Sequence, residues 1–295
     1  MTRGDPTFAT RDELVASPYF ITGPALISFS GGRTSAYMLR QILDAHGGTL
    51  PDDVHVCFAN TGKEREETLR FVHECATRWG VRVRWLEFRS HRRSLPAAER
   101  FEEVGFNSAS RAGEPFDMLI TRKSGGLPNG RQRWCTEFLK VKVLFDFAEA
   151  AGLGRPGNFA EVIGLRADEK RRIDRLRHDA RNEARHLSFP LSTAKVRKSD
   201  VFAFWAAQDF DLQLARGMGN CDHCPMVGDR DRIARAQFDP AGVEWWARHE
   251  MRTGYRFGRH FTFVEVLGLA AQSPRLPMDE TYDAECGLWC AGEAA

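Results

Sequence analysis

Cys221 and Cys224 stand in Cys-x-x-Cys spacing directly after the turn Gly217-Met218-Gly219-Asn220, and Cys135 lies far upstream. Thiolates in such an arrangement suit a tetrahedral zinc site or an iron-sulfur cluster, and spacing alone does not separate the two. Cys286 and Cys290, in Glu285-Cys286-Gly287-Leu288-Trp289-Cys290, add two thiols near the C-terminus, with His223 a weaker candidate ligand. The chain holds seven cysteines, an odd number in a protein large enough to fold without staples. Metal or redox chemistry is therefore expected rather than a disulfide framework. Cys57 and Cys75 fall on a strand and a helix face and are expected in the core.

A second group of residues suits an anion. Ser28 to Ser35, SFSGGRTS, follows an apolar run and opens a helical pattern. There glycines let the backbone approach a ligand, and the helix start offers unpaired N–H groups. The loop has no Walker lysine and does not match Gly-x-Gly-x-x-Gly, so neither an ordinary P-loop nor dinucleotide binding is supported. Arg166 follows the strand-like run EVIGL at once, which would put its guanidinium fork at a sheet edge facing phosphate or sulfate oxygens. Arg172 and then Arg33 are the next candidates. The mixed charges of Arg175 to Arg185 read as a solvated face.

The elements that must position these groups alternate. Ala25–Phe29, Val54–Ala59, Val81–Phe88 and Ala160–Leu165 read as strands. Thr34–Leu43, Glu64–Trp79, Cys135–Ala150, Thr193–Trp205 and Val243–Met251 read as helices. Repeated strand-helix-strand units predict a doubly wound α/β fold with a mostly parallel sheet and ligands at the strands' C-terminal ends. Arg89 to Arg133 reads as a long loop. The expected layout is an extension over 1–20, a nucleotide-binding α/β domain over 21–215, a Cys-x-x-Cys helical region over 216–275 packed on it, and a cysteine tail over 276–295. Trp245-Trp246 and Phe257 to Phe263 are expected as core aromatics.

Composition sets outer limits. Hydrophobic residues make up 42% and charged residues 28% of 295 residues, as in a globular chain with a sizeable core. Forty-two Lys and Arg against 40 Asp and Glu leave a net charge of +2, too balanced for a general nucleic-acid coat. No stretch has the length and character of a signal peptide or membrane span, so a soluble cytoplasmic protein without a membrane partner is expected.

Ser30-Gly31-Gly32-Arg33-Thr34-Ser35 resembles the Ser-Gly-Gly-x-Asp-Ser motif of the PP-loop superfamily of adenine-nucleotide α-hydrolases, in particular its phosphoadenosine/adenosine phosphosulfate reductase branch. Asn60-Thr61-Gly62 with Glu67-Thr68 and Arg70-Phe71 is similar to that branch's Asp-Thr-Gly and Pro-Glu-Thr-x-x-Phe segments. Gly164-Leu165-Arg166, with Arg171 and Arg172 beyond, resembles its Gly-Ile/Leu-Arg segment, and Pro190-Leu191 with Lys198 to Trp205 resembles the following helix. Cys135 and Cys221-x-x-Cys224 match three of the four 4Fe-4S ligands of assimilatory adenosine phosphosulfate reductases, with Trp134 in place of the other. Cys290 or Cys286 is the candidate for that position. Glu285-Cys286-Gly287-Leu288 resembles the reductases' Glu-Cys-Gly-Leu/Ile-His tail, with Trp289 replacing the His.

The resemblance implies binding of an adenylyl sulfate at Ser28, Ser30–Ser35, Asn60, Thr61, Gly62, Gly164 and Arg166. It also implies attack of Cys286 on the sulfate sulfur, and release of sulfite by a thioredoxin-like dithiol. Thr34, where the motif has Asp, departs from the ATP-splitting members. Two other readings follow from the same residues. One is an ATP-dependent iron-sulfur sulfurtransferase acting on nucleic acid, and the other a nucleotide-binding protein without turnover.

Overall fold

The computed structural model describes residues 17–122, 126–130, 132–215 and 217–278. Six strands form one sheet in the order β4-β3-β2-β1-β5-β6. They are β1 (Ala25–Ser28), β2 (Val54–Asn60), β3 (Val83–Phe88), β4 (Phe101–Val104), β5 (Ala160–Ile163) and β6 (His186–Ser188). Every pairing is parallel except β3 with β4. The chain runs outward from β1 through β2 to β3, then returns to place β5 on the other side of β1. The order therefore reverses between β1 and β5, which is where open α/β sheets leave a crevice.

Period-two alternation explains the two-sided packing. Ala25 and Ile27 of β1, Val56 and Phe58 of β2 and Trp85 of β3 enter one core. Leu26, Cys57, Leu86 and Phe88 enter the other, as neighbours on a pleated strand must. The first core is covered by α1 (Arg33–Ala45), α2 (Glu66–Arg78) and α6 (Lys198–Ala206). In α1, Ala36, Met38, Leu39, Ile42 and Leu43 are buried, the stripe expected of a helix against a sheet.

The second core takes α3 (Glu114–Arg122), α4 (Lys142–Ala150), α8 (Val243–Thr253) and α9 (Phe263–Gln272). Trp246, Phe257 and Phe263 are within it, joining residues after the Cys-x-x-Cys to the same core as the sheet. Two further helices of nine or ten residues are α5 (Lys170–His178) and α7 (Asp229–Phe238).

Several expectations need correction. The expected loop from Arg89 to Arg133 contains β4 and α3. β4 is antiparallel and carries Glu102 and Glu103, whose partners Arg89 and Arg84 lie on or beside β3, so its polarity hid the strand. The helix expected over Thr193–Trp205 is two pieces, Pro190–Thr193 and α6, separated at Lys195, whose φ is +60°. The first turns of the helix expected at Cys135 pass through Trp134–Thr136 and a π-helical segment, Glu137–Val141, before α4. β6, α7 and α9 were not expected.

Candidate functional site: a glycine turn joined to a thiol cluster

Ser30 to Ser35 turns at the C-terminal end of β1 into the start of α1. Gly31 has φ +77°, and a Cβ there would lie 2.7 Å from Thr68 Cγ2 and 3.0 Å from Val72 Cγ2 of α2, so a tight backbone fit requires glycine. The turn is held from inside. Ser30 N donates to Ser35 Oγ at 3.2 Å, the two hydroxyls are 2.9 Å apart, and Ser35 Oγ donates to Gly32 O at 3.0 Å. Gly32 caps α1 without any side-chain bond. Backbone donors at this 13-residue helix's start are of the kind that hold anions.

The β5 side closes on the same turn. A Cβ on Gly164 would stand 3.2 Å from Ser35 Cα. Arg166, 6% exposed, donates from Nη1 to Thr34 Oγ1 at 2.7 Å and from Nε to Asp168 Oδ1 at 3.1 Å. Thus Thr34 and Arg166 meet across the β1/β5 switch point, and Ser28 ends β1 beneath them.

Other sequence candidates are placed differently. Arg33 pairs through Nε and Nη2 with Asp211 at 2.7 and 2.9 Å and also donates to Leu212 O, so its guanidinium serves the 211–212 segment. Arg172 pairs with Glu169. Asn60 donates to Glu87 Oε1 at 2.7 Å and accepts from Gly62 N at 3.1 Å, while Thr61 N donates to Glu64 Oε2 at 2.7 Å. Asn60, Thr61 and Gly62 thus form a buried, self-bonded turn at the end of β2.

The Cys-x-x-Cys segment is sewn onto that turn. Glu64 and Cys221 form an antiparallel bridge, Arg65 N donates to Asn220 O at 2.7 Å and Asp222 N to Lys63 O at 2.8 Å. Asn220 Nδ2 then reaches Ser30 O at 3.0 Å. One asparagine side chain therefore ties the residue before Cys221 to the glycine turn.

Lys140, in the π-helical segment, sits among the thiols, with Nζ 3.8 Å from Cys221 Sγ and 3.4 Å from Glu64 Oε1. Loss of water pushes the Cys135 thiol up to about 11, and the neighbouring Cys224 adds to the effect. Cys221 is likewise pushed well above its ordinary value by burial, with Lys140 opposing and Glu64, Cys224 and Cys135 reinforcing. Burial opposes the Lys140 ammonium, but Cys221, Glu64, Cys135 and Cys224 more than offset it and keep it charged. Of the three sulfurs, Cys221 lies directly against the Lys140 ammonium, at 3.8 Å. Among the described residues, no three His, Cys, Asp or Glu side chains form a group that could hold a metal ion.

His223, with φ +35°, places Nε2 3.3 Å from Asp239, and burial first, then Arg65, lowers its ring to about 4. Cys286 and Cys290 lie outside the described residues. Sequence reasoning missed Glu64, Lys140 and Asn220. Asn220 directly precedes the Cys-x-x-Cys, but nothing local signals a bond to a residue 190 positions away.

No family model matches the chain. It is 31% identical over 229 residues to the uncharacterized nin region protein ORF290 of Escherichia phage lambda, an alignment covering 74% of this chain and 71% of that protein. The chain belongs to the family of that phage protein. It is also 30% identical over 129 residues to the uncharacterized protein MJ0066 of Methanocaldococcus jannaschii, covering 44% of this chain but 20% of the archaeal protein. No described helix is long and apolar enough to cross a membrane.

Proposed function

We propose that the chain is a PP-loop enzyme of the phosphoadenosine/adenosine phosphosulfate reductase type, which binds an adenylyl sulfate in the β1/β5 crevice and reduces it to sulfite. The observation that carries this reading is the Asn220–Ser30 bond, which joins a thiol-bearing segment to the glycine turn proposed to hold the anion. A phosphate would take the N–H groups at the start of α1, and Arg166 would offset the charge of the sulfate. Cys286 is the proposed nucleophile. Its thiolate attacks the sulfate sulfur, the sulfur–oxygen bond to the nucleotide phosphate breaks, and the nucleotide leaves with the electron pair. A thioredoxin-like dithiol then attacks the cysteine sulfur of the thiosulfonate, sulfite departs, and the second thiol completes a disulfide on the reductant.

Cys135, Cys221 and Cys224 are the thiolates proposed to hold a 4Fe-4S cluster, with Cys290 proposed as the fourth. A single zinc ion with bonds of ~2.3 Å gathers its sulfurs tightly, whereas in a cluster each thiolate binds its own iron. What supports a cluster here is the resemblance of the three-cysteine spacing to the reductases' ligands, together with the mutual electrostatic effect of Cys135, Cys221 and Cys224 beside Lys140. Bound there, a cluster would hold the thiolates deprotonated and add an inorganic charged face beside the turn. Lys140 would offset thiolate charge.

The test is sulfite release from adenylyl sulfate by the full chain with thioredoxin, alongside iron and sulfide content and AMP binding. Sulfite release that is lost in Cys286→Ser, with AMP binding kept, is the expected result. Pyrophosphate release from ATP without any sulfite would replace this reading with the nucleic-acid sulfurtransferase. AMP binding with no turnover of either substrate would leave a binding protein.

A further inference from the structure

A cleft of about 490 Å³ opens beside the glycine turn, lined among others by Arg33, Arg65, Glu67, Asp211, Met218 and Phe238. It lies at the N-terminal ends of two 13-residue helices, α1 capped by Gly32 and α2 capped by Arg65, and at neither does a cap side chain bond the helix's own first N–H groups. Arg33 is committed to Asp211. Arg65 is not satisfied in this way. Its side chain is 11% exposed, and Nη1 reaches Asp239 only at 3.5 Å. Asp239 is shared, since it also faces His223 Nε2 at 3.3 Å and accepts from Gly242 N at 3.0 Å. Arg65 Nε and Nη2 are buried with no hydrogen-bond partner.

Those two nitrogens form one edge of the guanidinium fork, the edge that grips an oxyanion with two parallel bonds. Leaving a buried charged donor unpaired is unfavourable, and Arg65 lines the cleft beside it. We infer that the cleft is a second anion seat, distinct from the glycine turn, in which Arg65 binds a tetrahedral oxyanion, a phosphate or sulfate group. A small turn of the guanidinium toward the cleft would bring its fork onto the ligand. Glu67 on the same wall opposes an anion, so it sets the affinity in the other direction.

The seat adds to the proposed nucleotide site but does not depend on it. The test titrates inorganic phosphate and, separately, inorganic sulfate into the full chain at low salt, with and without saturating AMP, by calorimetry. Expected is one phosphate or sulfate bound per chain in the presence of AMP, weakened at least ~10-fold in Arg65→Gln and strengthened in Glu67→Gln. Arg65→Lys, which keeps the charge and loses the fork, should fall between wild type and Arg65→Gln. Thermal unfolding checks that each variant is folded. Absence of phosphate and sulfate binding, or binding indifferent to Arg65→Gln, would overturn the inference. If AMP fails to bind, the nucleotide reading falls, while the titration without AMP still reads the Arg65 seat.

Discussion

Gly31→Ala tests whether packing alone dictates the turn. Gly31 has φ +77°, and a methyl group there would meet Thr68 Cγ2 at 2.7 Å, Val72 Cγ2 at 3.0 Å and Phe58 Cε2 at 3.2 Å. Gly80, at the end of α2, has φ +61° but nothing within 4 Å of an added Cβ. Both substitutions incur the left-handed conformation, about 1–2 kcal/mol for a residue with a Cβ. Only Gly31→Ala adds overpacking against buried side chains, about 1–3 kcal/mol. Gly80→Ala should therefore cost about 1–2 kcal/mol and Gly31→Ala about 2–5 kcal/mol. At roughly 2–4 °C per kcal/mol for domains of somewhat smaller size, the two melting temperatures should differ by several degrees. Urea unfolding of both variants beside wild type measures the difference directly. Equal losses would show that α2 gives way to the methyl group, and the claim that close packing fixes Gly31 would be wrong.

Other outcomes follow from single contacts. Asn220→Ala removes the donor to Ser30 O at 3.0 Å; it should destabilise by about 1–3 kcal/mol and weaken AMP binding, and unchanged values of both would remove the link between the two segments. Arg185 and Glu161 are paired with side chains 7% and 5% exposed. Arg185→Met should cost about 3–5 kcal/mol, and adding Glu161→Leu should recover most of it; an equally unstable double variant would contradict that account. His46 has its pKa lowered by burial, and its Nε2 accepts from Ile21 N at 3.0 Å. Below the ordinary value of 6.5 the unfolded chain takes up a proton that the folded ring resists, so stability falls as pH drops through that window. The pH-dependent part of the wild-type minus His46→Gln difference should appear there and vanish above it. Cys57 and Cys75, whose thiols burial pushes far up, should resist alkylation at pH 8 until the protein unfolds, as peptide mass mapping would show.

The parts of the fold that could be read from the sequence are those whose periodicity reports burial. β1, β2, β3 and β5 are apolar because helices cover both faces, and α1 carries its stripe because one side meets the sheet. β4 escaped notice, and α5 read only as a charged face, for the opposite reason. β4 is an edge strand whose glutamates pair with arginines, and α5 buries only Ile173 and Leu176 among nine residues. The glycine turn after β1 was legible because Gly31, with φ +77° and no room for a Cβ, bears a local geometric burden. The junction with the thiols was not, because Asn220, Glu64 and Lys140 act through contacts that span much of the chain. Arg33 misled because its place in the turn says nothing of Asp211, 178 residues away.

Thr34 shows how one exchange can shift what a turn is suited to hold. Its hydroxyl accepts from Arg166 Nη1, while Arg166 Nε faces Asp168 at 3.1 Å and Glu169 at 3.7 Å, and Glu169 also pairs with Arg172. In these contacts two arginines face two carboxylates, whose charges offset. An aspartate at position 34 would bring a third carboxylate to the Arg166 guanidinium and oppose an anion at a distance where charges in a protein interact strongly. Threonine keeps the hydrogen bond that positions Arg166 without adding that charge. Under the proposed function, a corner without that third carboxylate would meet a doubly anionic group such as an adenylyl sulfate with less repulsion.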